Sequence, residues 1–252
     1  MAHADPGSGR APRWLSVAGV VGELLVTGGL VVLLFVVYEL FVTDLLNEGQ
    51  QSDLSQQLHA QWDESTDPDT TTPRADLTGG AFAVLHIPRM GLDYQRVVLD
   101  GTSEAQLSQG PGHYEGTALP GEPGNMGLAG HRVGKGSPFL DLDQLRPGDP
   151  IVVETVDSWF VYRVLGDVAT GDLDGDPSGI PGQEIVRPTE VQVLNPTPNG
   201  PENAAPTDTF LTLTTCHPRY SARQRLVIHA RLDGAGQNKA ELPNGPAALN
   251  ER

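Results

Sequence analysis

Cysteine is almost absent from this chain: of 252 residues only Cys216 carries a thiol. No internal disulfide can form, so the fold rests on its core alone. An unpaired cysteine in an exported protein is either buried and inert or reactive and used. Basic residues are also scarce, 16 Lys and Arg against 32 Asp and Glu, for a net charge of −16. That balance excludes the basic footprint of a nucleic-acid-binding protein. Glycine (30) and proline (21) interrupt the chain too often for a helical bundle and favour many short strands joined by turns.

One long apolar run is present, "LLVTGGLVVLLFVVYELFV" from Leu24 to Val42, preceded by the weaker "WLSVAGVVG". Glu23 and Glu39 bracket roughly 22 Å of uncharged helix, short of a ~30 Å hydrocarbon core. The predicted span is therefore 17–42, with both glutamates near the interfaces and Trp14 and Tyr38 as interfacial aromatics. The run is long for the apolar segment of a cleaved leader, and no small-residue cleavage site follows it, so it reads as an uncleaved anchor. Arg10 and Arg13 precede it. Between Thr43 and Gly80 stand eight acids and one base, Arg74. The positive-inside rule then puts residues 1–16 in the cytoplasm and everything after 43 outside. Leu45, Leu46, Leu54, Leu58 and Trp62 predict a membrane-proximal helix over 43–62. Residues 63–80 read as a flexible acidic linker and 234–252 as a disordered tail.

Between 81 and 233 the pattern is all-β. The strand-like runs are 81–87, 95–100, 148–156, 159–165, 190–194, 209–216 and 225–232, punctuated by Pro88, Pro147-Gly148 and Asp157-Ser158. "SEAQLSQ" (103–109) predicts a short helix opened by a Ser103/Gln106 capping box, and "PFLDLDQL" (138–145) a helical turn. Strands at this spacing make a sandwich or a closed barrel, and the pattern alone does not choose.

In "TFLTLTTC", Phe210, Thr212, Thr214 and Cys216 share one strand face. In "RLVIHARL", Arg225 lies opposite the apolar set Leu226, Ile228, Ala230 and Leu232. The polar "HPRYSARQ" between them suits a hairpin loop, which would bring thiol and guanidinium together at the sheet's rim. A lone cysteine is more often a small buried hydrophobe. An adjacent cation favours thiolate, however, and can bind the oxyanion of an attacked carbonyl. Such a nucleophile needs an acid or base, usually histidine. His3 and His59 lie before the domain, and His86 and His229 fall inside strand runs. His217 is adjacent to Cys216 and so points to the other face. His113 in "GPGHYEG" and His131 in "GLAGHRVG" remain, both in glycine-bounded loops.

Several segments together resemble one family. "TLTTC" (212–216) is similar to the sortase signature Thr-Leu-x-Thr-Cys, and "RLVI" (225–228) to the strand that the family's arginine opens. "AGHR" (129–132) resembles its catalytic-histidine segment, with "PFLDLDQLRPGD" (138–149) as continuation. With "IPRMGLD" and "GPGHYEGTALPGEPGN" the likeness covers roughly 80 to 232. Cys-His-Pro and Gly-His-Tyr make it most similar to class E sortases. The resemblance implies a closed eight-stranded β-barrel catalytic domain with short helices over 81–233, following the transmembrane helix. It implies Cys216 as nucleophile, His131 as general acid/base and Arg225 as oxyanion or substrate clamp, with Arg223 the rival for that last role. Tyr114 and Thr214 are candidates for the substrate groove. It further implies cleavage between Thr and Gly of a Leu-Ala-x-Thr-Gly or Leu-Pro-x-Thr-Gly sorting motif through a thioester. The partners are then surface proteins bearing that signal, an amine of a peptidoglycan precursor, and the membrane. No cofactor or metal is implied.

"GDLDGDPSGIPGQE" (171–184) departs from the family's length. Its alternating Asp172, Asp174 and Asp176 suggest a calcium loop, but Pro177 and Gln183 stand where an EF-hand wants glycine and glutamate, so a solvated acidic loop is the better reading. The proline-rich 195–208 leads into the cysteine strand beside the expected groove. Two other functions are open to such a chain. One is a pilin-polymerising sortase with a lysine acceptor, although 63–80 contains no clear lid. The other is a tethered β-domain that binds wall components without chemistry.

Overall fold

Some of the strand runs are almost continuously apolar instead of alternating, which requires burial on both faces. The computed structural model describes residues 13–38, 43–64, 80–206 and 208–252. Most of the expected cytoplasmic tail, the end of the span at 39–42 with Glu39, and linker positions 65–79 lie outside the described residues. The chain divides into two units, Met1–Thr43 and Asp44–Arg252. The first contains α1 (Arg13–Val37), roughly 37 Å long at 1.5 Å per residue. Its stretch Gly19–Val36 has a mean hydropathy of 2.3, and its described side chains are exposed. That is long and apolar enough to cross a bilayer.

The second unit opens with α2 (Thr43–Glu64) and continues as a β-barrel. In chain order come β1 (Ala81–His86), β2 (Gln95–Asp100), the one-turn helix α3 (Glu104–Leu107), β3 (Gly112–His113) and β4 (Gly124–Ala129). They are followed by β5 (Pro150–Glu154), β6 (Ser158–Val164), β7 (Gln183–Val186), β8 (Thr209–His217), β9 (Gln224–Leu232) and β10 (Gln237–Asn238). The sheet runs β10-β6-β5-β1-β2-β3-β4-β8-β9-β7, and β6 also pairs with β9. That extra pairing closes a ring of eight strands, β6-β5-β1-β2-β3-β4-β8-β9, as the resemblance implied, and leaves β7 and β10 as additions outside it. Closure removes most of the unpaired strand edge that an open sheet presents.

Several details differ from the sequence-based expectation. "EVQVL" (190–194) forms a 3-10 turn over Val191–Leu194 instead of a strand, because its carbonyls are claimed by a side chain: Asn125 Nδ2 donates to Val193 O at 3.0 Å and to Asn195 O at 3.1 Å. β3, β4 and β7 fall outside the expected runs. At α3, Ser103 Oγ bonds the Gln106 side chain and makes no side-chain cap to the backbone. The helical turn expected in 138–145 is a 3-10 turn at Leu142–Gln144.

The barrel interior is filled by Ala83 and Leu85 of β1, Ile151 and Val153 of β5, Leu211 and Leu213 of β8, and Leu226 and Ile228 of β9. β1 is buried throughout because its outer face is covered too. Leu58 and Trp62 of α2 pack there on Ala81, Val84 and Val97. Burying Leu58 contributes on the order of 2 kcal/mol. Gln51 of α2 accepts from Val97 N at 2.8 Å and donates to Gln109 O, which satisfies backbone groups of and beside β2. The helix expected near the membrane is thus an outer layer of the barrel domain.

The expectation of a disordered tail over 234–252 fails. β10 pairs with β6, and Leu242, Ala248 and Leu249 cover Val152, Trp159 and Val161 on the outer face of β5 and β6. Trp159 Nε1 donates to Leu242 O at 3.2 Å. An apolar strip on the barrel exterior needs a cover, and these few apolar residues provide it.

Helix, barrel and C-terminal segment meet at one buried carboxylate. Glu154 contacts His59 Nε2 at 3.1 Å, His86 Nε2 at 3.0 Å and Lys239 Nζ at 2.7 Å. The Lys239 ammonium also lies 4.5 Å from the Trp62 ring centroid and 5.3 Å from that of Trp159. Burial alone would raise the pKa of Glu154, but hydrogen bonds from His59, His86 and Lys239 outweigh it and hold the carboxyl far below the usual range. The hydrogen bond to Glu154 raises His59 above its ordinary value, against partial desolvation. The His59 contribution is complete below its unfolded value of 6.5 and lost as pH rises through the raised folded value. The Glu154 contribution is complete above 4.5 and lost as pH falls through the depressed value. Docking of α2 is therefore tightest between those two values. We predict that amide protection in 48–62, corrected for intrinsic exchange, falls as pH rises above 6.5 through the raised value of His59. In His59→Gln the fall should be absent, and a fall of equal size in that variant would rule out this cause.

Candidate active site

β4 and β8 are parallel neighbours in register from Gly124↔Thr209 to Ala129↔Thr214. Two bonds extend the ladder: Gly130 N donates to Thr214 O at 3.1 Å, and Thr215 Oγ1 donates to Gly130 O at 2.8 Å. His131, in the loop just past β4, and Cys216, on β8, are the next residues along the two chains. β8 pairs antiparallel with β9, with Cys216 directly opposite Arg225. β8 and β9 thus present Cys216 and Arg225 at one level of the barrel, with His131 in the loop just after the neighbouring strand β4. The ladder turns Leu211, Leu213, Leu226 and Ile228 inward. Cys216, Thr214 and Arg225 therefore stand on the outer face.

Glycine is required before the histidine. A Cβ on Gly130 would lie 2.5 Å from Cδ2 of the fully buried Phe139, whose N donates back to His131 O at 3.0 Å. The ring of Phe139 thus occupies the space a side chain would need, and the loop folds back to hold His131.

The two loop histidines that sequence left open differ in their surroundings. His113 is buried with both ring nitrogens engaged: Nε2 at 2.9 Å from Thr117 Oγ1 and 3.1 Å from Ala118 O, and Nδ1 at 3.3 Å from Asp100 Oδ1. His131 Nε2 is shielded from solvent and has no hydrogen-bond partner. Cys216 is a half-buried free thiol. Arg225 Nη1 donates to Ala222 O at 3.2 Å and Gln224 O at 3.1 Å, and among the described residues no carboxylate lies within ion-pair range of it. Its charge is held in place without being neutralised. Arg223 lies in the exposed loop before β9, outside the ladder. His229, fully buried, bonds Thr212 Oγ1 and Glu184 Oε1, each at 2.8 Å.

Tyr114 and Thr214 are brought together, Tyr114 Oη lying 2.9 Å from Thr214 Oγ1. Over Gly127, the side chains of Leu194, Tyr114 and Thr117 converge at 2.8, 3.0 and 3.3 Å from where a Cβ would stand. The 191–206 loop therefore lies against the tyrosine. Further along, a cleft of about 350 Å³ is lined by Thr117, Ala118, Asn125, Leu194, Pro196 and Pro206 among others. Sequence reasoning did not single out Arg132, and it set His217 aside as pointing to the other face from Cys216. The only signal for either was adjacency to His131 or Cys216.

In the acidic loop the carboxylates serve as turn acceptors. Asp176 takes hydrogen bonds from Ser178 N at 2.9 Å and Gly166 N at 3.2 Å, and Asp172 from Asp174 N at 3.0 Å. Among the described residues no cluster of three or more His, Cys, Asp or Glu has metal-binding geometry.

Known proteins share this fold. The family described as "Sortase domain" matches residues 85–233, more than half of the chain. Sortase SrtE1 of Streptomyces coelicolor is 35% identical over 219 residues, which cover 84% of this chain and 56% of that relative. This chain thus spans little more than half of that relative's length. The solved SrtF sortase of Corynebacterium diphtheriae is 40% identical with a TM-score of 0.63, over 73% of this chain and 100% of that one. Sortase E1 of Streptomyces coelicolor, solved with a tripeptide in the active site, is 32% identical with a TM-score of 0.55, over 68% and 97%. The closed eight-stranded β-barrel is the fold these comparisons share. The chain belongs to the sortase family.

Gly130→Ala is expected to lower stability by about 1–3 kcal/mol through overpacking against Phe139. Urea unfolding checks this, and an unchanged midpoint would contradict the packing described.

Proposed function

We propose that this chain is a membrane-anchored cysteine transpeptidase that cleaves a C-terminal sorting motif, Leu-Ala-x-Thr-Gly or Leu-Pro-x-Thr-Gly, between Thr and Gly. It transfers the upstream protein to an amine of a peptidoglycan precursor. The observation that carries this reading is the juxtaposition of Cys216 on β8 with Arg225 opposite it on β9 and His131 just after β4, the strand paired with β8. The Cys216 sulfur attacks the threonine carbonyl, and the oxyanion is met by the Arg225 guanidinium, which among the described residues has no carboxylate within ion-pair range. His131 donates its proton to the departing glycine nitrogen. The C–N bond breaks and a thioester remains. The acceptor amine then attacks the thioester carbonyl, losing its proton to His131, and the C–S bond breaks to restore the thiolate. The free Nε2 of His131 supports this role over His113, whose ring is fully engaged.

Tyr114 and Thr214 border the place where the residues preceding the scissile bond would lie. The tripeptide in the related sortase E1 active site supports a peptide substrate there. α1, long and apolar enough to span a membrane, supports anchoring with the N-terminus in the cytoplasm and the barrel outside, the orientation favoured by Arg10 and Arg13.

Mass spectrometry of the full chain incubated with the two sorting peptides should show a thioester adduct on Cys216. Cys216→Ala should fold but form no adduct and cleave neither peptide. Retained cleavage would refute the mechanism. His131→Ala should lose activity while His113→Ala keeps a measurable fraction, and the reverse would move the acid to residue 113. Arg225→Ala should lower kcat by about 10²- to 10³-fold, the usual loss for an oxyanion donor. A loss confined to KM would make Arg225 a binding residue only.

A further inference from the structure

The segments carrying His131 and Cys216 are joined by contacts that the transpeptidation chemistry does not use. Arg132 follows His131, and its side chain is 3% exposed. Its Nη2 bonds Asp143 Oδ2 at 2.9 Å, its Nε donates to Leu140 O at 3.4 Å, and its Nη1 donates to His217 Nδ1 at 3.0 Å. His217 follows Cys216 and ends β8. From the loop between β8 and β9, Arg219 reaches Asp141 at 2.9 Å and the same Asp143 at 3.5 Å. Among the described residues, the side-chain hydrogen bonds and ion pairs that cross between 131–145 and 216–223 all belong to these two arginines.

A buried guanidinium left without partners is strongly destabilising, so Arg132 is held where its partners are. Its planar fork fixes direction in a way a lysine ammonium does not. The bond to His217 takes the lone pair of Nδ1 and leaves that ring's proton on Nε2. The β4–β8 ladder stops at Gly130 and Thr215, one residue short of both reacting groups. Past that point the chain after His131 passes through left-handed residues at Gly134, Lys135, Gly136 and Ser137, whereas Cys216 and His217 stay paired with Arg225 and Gln224 of β9 before the chain enters a loop. Pairing with β9 fixes the thiol's backbone, but no strand pairing fixes the backbone of His131 relative to it.

We propose that Arg132 is a positioning residue for the transpeptidation. By donating to His217 Nδ1 it ties the His131 segment to the Cys216 segment and sets the separation of the reacting groups. Asp143 holds Arg132 in turn and shares the load with Arg219. The inference rests on Cys216 as nucleophile and His131 as general acid/base. It assigns to His217 an acceptor's role, with no proton transferred to substrate.

The test uses the full chain with His217→Asn, which keeps an acceptor oxygen near the Nδ1 position, and His217→Leu, which removes it. At saturating sorting peptide, His217→Leu should slow thioester formation about 10- to 100-fold with KM unchanged, as misplacement of reacting groups does. His217→Asn should stay within about threefold of the parent. Arg132→Met should show the same loss, and the double variant Arg132→Met/His217→Leu should be no slower than the slower single one. Thermal melts establish that each variant is folded. A folded His217→Leu enzyme at the parental rate overturns the clamp. So does His217→Asn falling as far as His217→Leu, since the imidazole itself would then be needed. Alkylation of Cys216 by iodoacetamide reads the same spacing without any peptide. His217→Leu should shift its pH profile and His217→Asn should not, and three identical profiles would also overturn the clamp. The absence of any adduct in the parent enzyme would instead sink the sorting-peptide reading, and the alkylation profiles would still decide on the clamp.

Discussion

The parallel pairing of β4 with β8 brings together residues that sequence keeps far apart, Gly130 and Thr215 being 85 positions distant. Parallel neighbours need a long crossover, and here the intervening chain supplies β5, β6 and β7 before it returns. Small residues let the pairing approach its surroundings closely. Gly127 makes room for Leu194 and Tyr114, and Gly130 for the Phe139 ring. Shifting this register by one residue would turn Thr214 and Cys216 inward and Leu213 outward, losing both core and site.

Around the ring, the outer face is covered in three places. α2 lies on β1 and β2, the C-terminal segment on β5 and β6, and the 191–206 loop on β4 and β8. The last cover rests on a buried polar chain in which Asn125, Thr212, His229 and Glu184 bond one another in sequence. A fully paired network of this kind fixes the loop in one place, since each unpaired member would be costly. Glu154 plays a comparable part at the junction of α2 with the C-terminal segment, where it bonds His59, His86 and Lys239.

Much of the barrel was legible because its longer strands carry strong apolar runs. β1, β2, β5, β6, β8 and β9 were all expected near their observed limits. β4 was not, since "GNMGLA" has two glycines and no alternation, and β3 and β7 are too short to show a period. Val191 and Val193 imitated a strand, but a side-chain amide claimed the carbonyls a strand would have paired. The C-terminal segment looked disordered because Leu242, Ala248 and Leu249 are sparse in a Gly-, Asn- and Pro-rich stretch. Their partners Val152, Trp159 and Val161 lie in distant strands.

Local order determined the relation between Cys216 and Arg225. Two strands joined by a short polar loop have few ways to pair, so periodicity and turn chemistry sufficed to place thiol and guanidinium opposite each other. The same local signals determined the apolar span and the all-β character of the catalytic domain. The choice of histidine was different. His113 and His131 look alike in sequence, each flanked by glycine, and only the folded ring closes hydrogen bonds around one while leaving Nε2 of the other without a partner. The link between Arg132 and His217 likewise exists only after β4 and β8 have met. Hydrogen bonds between distant segments depend on a register that the barrel as a whole decides, and no residue carries that information by itself.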